Sequence, residues 1–408
     1  MSNDFHAEPR RRGENQLRVS APPREHVLGV GELLLLAIGI CAALLAILPW
    51  SRWIVIVGML LIAAVSFRRI RVSKPSPGLL FALIPLIGYA LYATLAPPPE
   101  FDYLADWGFK ARAFFAIRNI DWQLLGRAIA RDTHPDYPLL LPFTYDFIAV
   151  LRNGWNDAHL GIVHVVFAAA LLLVVHSSAI EETRSRVAAA FITFALVPLA
   201  ATPWIGMADG PFIAYATAAL LLIRRGDVTL GAILLGLAAS TKNEGLTLIA
   251  AAVIGLLCSR RGRDVIRLWP AVVIPLPWLI ARSLYNLPTD IVAGSVFDRI
   301  GGHLSNPRPL LDAIASTSLG KPLFWIALAA GIVIASRALL TRERFVITTL
   351  LIQFACYVFA YVATPYDVAW HVTYSWERLI AHLTPALTYV VLASLIATHG
   401  VAEPAAQS

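Results

Sequence analysis

Apolar runs recur along nearly the whole chain, near 28–48, 52–67, 77–96, 159–178, 187–203, 209–223, 228–241, 245–258, 267–284, 320–336, 345–362 and 378–398. No other feature limits the fold as strongly. About 20 apolar residues cross the roughly 30 Å hydrocarbon core of a bilayer as a helix. Backbone polar groups in lipid must be satisfied internally, which leaves helices or a closed barrel. The runs are continuous Leu, Ala, Val and Ile stretches without period-2 alternation, the pattern of helices. The expected fold is therefore all-α, a polytopic transmembrane bundle of about 12 spans. With 58% hydrophobic and 14% charged residues, the chain carries too little charge for a soluble domain. A thirteenth run, 138–151, is shorter and rich in Pro and Tyr. No internal repeat stands out, which counts mildly against many transporter folds.

Orientation follows from the basic residues. With the N-terminus inside and 138–151 re-entrant or interfacial, the clusters Arg68–Lys74, Arg184–Arg186, Arg224–Arg225, Arg260–Arg263 and Arg337–Arg344 all fall on the cytoplasmic side. The net charge of +7 is then a basic inner face, and no nucleic-acid partner is expected. Residues 1–26 and 399–408 read as cytoplasmic tails flanking a membrane domain at 27–398; the first tail, Arg-rich, is expected to be disordered. Cys41, Cys258 and Cys356 lie in apolar runs and read as packing residues, with no disulfide. The outer segments are 97–137, 285–321 and 363–377, plus short turns at Asp209 and Lys242.

The first outer loop breaks the charge rule, with Lys110, Arg112, Arg118, Arg127 and Arg131. Either an anionic substrate or lipid headgroups around an interfacial helix explain that basicity. Asp102 and Asp106 stand where a carboxylate could accept a proton, or cap a helix start. His134-Pro135-Asp136-Tyr137-Pro138 forms a stiff elbow, either a plain turn or a holder that aims His134, Asp136 and Tyr137 at a cavity. Asp209, before Gly210 and Pro211, suits a helix start as well as a second outer carboxylate. Lys242 and Glu244 lie between apolar segments of about 14 residues, roughly 21 Å each. That places the turn below the membrane surface, where ionisable groups mark a functional site or pair with one another. Glu377 and Arg378 open the last apolar run, with His382 one turn further in; Arg suits bidentate phosphate binding, and also snorkelling.

These stretches, FDYLADWGFKARAFF, HPDYPLLLP, MADGPFIAYATAALLLI, TKNEGL and SWERLIAHLTP, resemble in their order the glycosyltransferase C superfamily over residues 77–398. That group includes protein O-mannosyltransferases, lipid A aminoarabinose transferases and core galacturonosyltransferases. The resemblance implies transfer of a sugar from a polyprenyl-phosphate donor to a glycan, lipid or protein acceptor, with inversion. It implies a multi-pass protein of the bacterial inner (plasma) membrane with both termini cytoplasmic. Asp102 is the implied base and Asp106 its understudy. Asp209 and the elbow supply polar contacts, and Lys242 and Arg378, with Lys110 beside them, meet the phosphate. Glu244 and Glu377 belong to the same implied substrate site. A divalent cation is left open. Two apolar runs precede the family's usual first helix, and the two first-loop Asp are not adjacent as in many members. The competing expectation is a transporter or flippase of a lipid-linked glycan. A weaker one is a non-catalytic scaffold of envelope assembly, in which no single carboxylate matters.

Overall fold

The computed structural model of the protein describes residues 28–67, 77–127, 133–287, 289, 295–318 and 322–399. The N-terminal tail, the Arg68–Lys74 cluster, Arg131, Lys321 and nearly all of 399–408 lie outside the described residues. No β-strand occurs among the described residues. The helices run α1 (Val30–Leu45), α2 (Arg52–Phe67), α3 (Pro77–Thr94), α4 (Gly108–Ile117), α5 (Trp122–Leu125), α6 (Leu140–Arg152) and α7 (Asp157–Leu160). Then follow α8 (Ile162–Thr183), α9 (Arg186–Ala200), α10 (Asp209–Arg225), α11 (Val228–Ala239), α12 (Glu244–Cys258), α13 (Gly262–Val265), α14 (Trp269–Val273) and α15 (Leu276–Leu284). The last six are α16 (Val296–Ser305), α17 (Arg308–Ser318), α18 (Pro322–Thr341), α19 (Arg344–Val362), α20 (Val368–Ala381) and α21 (Thr384–His399).

The centre of the bundle is α10. Every residue from Asp209 to Ile223 is buried. It packs against α8, α11 and α21, while α12 lies on α19. Small residues let backbones approach: a Cβ on Gly245 would sit 2.3 Å from Ala239 Cα, and one on Gly231 2.8 Å from Ala219 O. The outside is apolar. Phe81 and Ile84 on α3, Phe191 and Phe194 on α9, and Leu323, Ile326 and Val333 on α18 are all exposed. Water would penalise such a surface, and lipid would not. An all-helical bundle with several apolar helices and an apolar exterior is compatible with a helical membrane protein.

The twelve apolar runs do not become twelve full-length helices. Three stretches, Asp157–Thr183, Pro322–Thr341 and Arg344–Val362, are long and apolar enough to cross a bilayer, or five if two bent pairs each count as one span. The others are shorter. The 12 residues of α11 reach about 18 Å at 1.5 Å per residue. The last run, 378–398, breaks after His382 with a 40° bend between α20 and α21. Pro385, near the start of α21, lacks the N–H that would continue the preceding helix. Arg378 therefore lies in the last turn of α20 and does not open the final helix. The 285–321 segment, expected as a loop, contains α16 and α17; α17 packs on α20, and His303 Nδ1 bonds Val362 O at 2.8 Å.

Candidate functional site

At the N-terminal end of α10, the five sequence stretches meet. The nucleus is Asp209, which is fully buried. Its helix is capped by Ala208 without a side-chain bond, so the carboxylate is not spent on the helix start. Oδ1 accepts from Lys242 Nζ at 3.1 Å and from His382 Nε2 at 2.9 Å. Oδ2 accepts from Arg378 Nε at 3.2 Å and Nη2 at 3.0 Å. Carboxylate oxygens only accept, so His382 carries a proton on Nε2, and its Nδ1 is hydrogen-bonded with the Tyr357 hydroxyl at 3.0 Å. Charges at such burial persist only when paired and hydrogen-bonded.

Arg378 joins this core to the first outer loop. Its Nη2 also donates to Asp102 Oδ2 at 2.8 Å. Asp102 precedes a π-helical turn, Tyr103–Trp107, yet makes no side-chain cap bond to it. The cap reading of Asp102 therefore fails. The Asp102 side chain is 32% exposed and that of Asp209 0%. Of the two carboxylates that Arg378 holds, only Asp102 is within reach of a ligand.

Lys242 lies in the turn between α11 and α12, buried as its depth suggested, and pairs with Glu244 at 3.1 Å as well as with Asp209. The Asp209 bond joins this turn to the other stretches, so a self-contained Lys242–Glu244 pair does not describe it. The Glu244 Oε2 has no hydrogen-bond partner. Asn243 Nδ2 donates to Asp136 Oδ2 at 3.3 Å, and Leu140 N to Ser240 O at 3.2 Å. The elbow is thus bolted to the turn. His134 is not extended before its proline: its φ of 44° is left-handed, and its carbonyl accepts from Lys110 Nζ at 2.7 Å. The buried ammonium needs that acceptor. Tyr137 packs on the Trp107 ring, centroids 5.4 Å apart.

Two expected site residues are occupied elsewhere. Asp106 and Lys110 are buried and bridge each other at 2.5 Å, one helical turn apart. Burial pushes the Asp106 carboxyl up to about 6, against the pull of Lys110. Neither side chain is open to a ligand. In place of a fully interfacial helix, α4 buries Ala111 and Phe114, with Phe114 against Phe143 of α6, and leaves Phe109 and Ile117 exposed. Glu377 is exposed on α20.

Glu100 was not singled out in the sequence, although it stands two residues before Asp102. Burial raises its carboxyl above the ordinary range, Arg378 lowers it, and the charges of Asp102 and Asp209 add to the rise. It therefore belongs to the same field. Tyr357 also went unnoticed, since a lone Tyr in an apolar run carries no local signal. His382 had one: it follows Arg378 by four residues. Among the described residues, no three His, Cys, Asp or Glu side chains are grouped to hold a metal ion.

Taken together, the site is a partly exposed carboxylate, Asp102, with the partly exposed Glu100 and Glu244 nearby, on a frame of buried charges around Asp209. It can accept a proton at Asp102, and its cations can receive an anion only by exchanging partners. No protein-family model, no curated protein and no solved structure matches the chain.

Proposed function

We propose that the protein is a multi-pass membrane glycosyltransferase, with both termini cytoplasmic, in a bacterial inner membrane. It moves a sugar from a polyprenyl-phosphate donor to an acceptor hydroxyl at the outer face. The observation that carries this reading is the partly exposed Asp102 tied through Arg378 to the fully buried Asp209. The donor phosphate displaces Asp102 from Arg378 and takes its guanidinium, a planar fork suited to phosphate oxygens. Asp102, released, accepts the acceptor's proton as that oxygen attacks the anomeric carbon. The bond from this carbon to the phosphate oxygen breaks, and the lipid phosphate leaves with the electron pair. Arg378 and Lys242 stabilise the charge that develops there. Attack opposite the leaving group inverts the sugar carbon. Asp209 does not react; both its oxygens are committed to holding Lys242, Arg378 and His382 in place.

A flippase would need a polar path across the membrane. Between Asp209 and Arg224, α10 offers only Tyr215 and Thr217 as polar side chains, both buried. Lipid and glycan profiling of a deletion strain tests the function. A glycan lacking one sugar, with its polyprenyl-phosphate sugar accumulating, is the expected result. Unchanged glycans and no accumulated donor refute the proposal.

A further inference from the structure

The opposite end of α10 is built differently. A cleft of about 440 Å³ lies between the ends of α10 and α12 and the link from α18 to α19. Arg224, Arg225, Arg261, Arg342 and Arg344 line it, with one carboxylate, Glu343. The inner guanidiniums are fixed from behind. Arg224 is held by Glu343 and, at 2.7 Å, by Glu182; Arg225 by Asp227 at 2.6 Å and Glu32 at 3.1 Å. Glu182 and Glu343 are themselves buried, with side chains 7% and 0% exposed. Arg261 is paired with Asp264 at 2.8 Å, and Arg342, 52% exposed, with Glu182 at 2.6 Å and Glu343 at 3.5 Å, which leaves Arg344 as the unneutralised cation on the cleft's rim. Arg344 is exposed, bonds only Leu340 O at 3.3 Å, and forms no ion pair among the described residues.

Two further features point to a phosphate-bearing ligand with apolar chains. Arg344, Phe345 and Val346 form the first turn of α19, which has no side-chain cap and adds partial positive charge. Beside the cleft, Leu340 on α18 and Leu257 on α12 are 65% and 56% exposed. Cationic side chains next to apolar helix faces match a lipid whose phosphate sits in the cleft and whose chains lie outside it.

We propose that this cleft binds the phosphate of an anionic phospholipid headgroup. The site is independent of the chemistry at Asp102. Its test uses the full-length protein in neutral detergent with short-chain phosphatidylglycerol, short-chain phosphatidylcholine or inorganic phosphate, and reads retained ligand by native mass spectrometry. Retention of phosphatidylglycerol at least fivefold above phosphatidylcholine is expected. Arg344→Gln, which breaks no ion pair, should lower that retention about threefold, and Arg342→Gln with Arg344→Gln at least tenfold. Arg186→Gln, an equal charge change on an exposed residue outside the cleft, should leave it unchanged. Competition by millimolar inorganic phosphate supports recognition of the phosphate group itself. Its failure, with phosphatidylglycerol still preferred, supports recognition of the lipid as a whole. Equal retention of both lipids, or loss in Arg186→Gln matching the Arg344→Gln loss, overturns the proposal.

Discussion

The two ends of α10 carry mirror-image charge arrangements. At the start, one carboxylate, Asp209, gathers Lys242, Arg378 and His382. At the finish, Arg224 and Arg225 gather Glu182, Glu343, Glu32 and Asp227. Each sign suits its end of the helix dipole, an anion at the N-terminus and cations at the C-terminus. The difference lies in access. Asp209 is sealed, and the reachable group is one step away at Asp102. Arg224 and Arg225 are 14% and 19% exposed and open directly on a cleft. Both centres are fully paired, but the pairs at the start of α10 are closed off, whereas those at its finish border a cleft whose rim carries the unpaired Arg344.

Substitutions at the two centres measure that contrast. Asp209→Asn leaves Lys242 and Arg378 without their shared buried counter-charge, an expected loss of about 3–5 kcal/mol in detergent unfolding. Arg224→Gln should cost less, ~2 kcal/mol, because Arg342 still reaches Glu182 at 2.6 Å and the cleft admits water. Equal losses would remove the distinction between sealed and open ends.

A pH profile tests the pair beside the outer site. The folded Asp106 carboxyl titrates near 6 against an ordinary 3.8. The stability tied to its protonated form is complete below about 4 and is lost as pH rises through about 6. Unfolding midpoints across that window should fall for the wild type and lose this component in Asp106→Asn. An identical slope in the variant contradicts the assignment. The smallest effect is expected at Asp146 on α6, which is fully buried with both oxygens lacking hydrogen-bond partners. Asp146→Ala should raise stability by about 1 kcal/mol, read as a higher unfolding midpoint. A destabilised variant would mean the carboxyl has a role that its surroundings do not reveal.

The helical class was legible because apolar runs leave the backbone few alternatives. The break within 378–398 was not, since the bend between α20 and α21 near Pro385 divides a run that composition alone joins. Asp209, Lys242 and Arg378 stood out because charge is scarce in apolar surroundings. That they share one pair of carboxylate oxygens was invisible, as 169 residues separate Asp209 from Arg378. Asp106 and Lys110 stood out by the same scarcity, and their i, i+4 spacing lets them pair with each other locally. Glu100 and Tyr357 gain meaning only from neighbours distant in the chain.

Purified Asp102→Asn protein, assayed with a polyprenyl-phosphate sugar and its acceptor, tests the outer site most directly. The two side chains are nearly isosteric, and the Asp102–Arg378 contact is partly solvated, so folding should change by less than about 1 kcal/mol. Sugar transfer should fall at least about 100-fold. Turnover within twofold of the wild type would show that the proton goes elsewhere and that the accessible carboxylate is not the base.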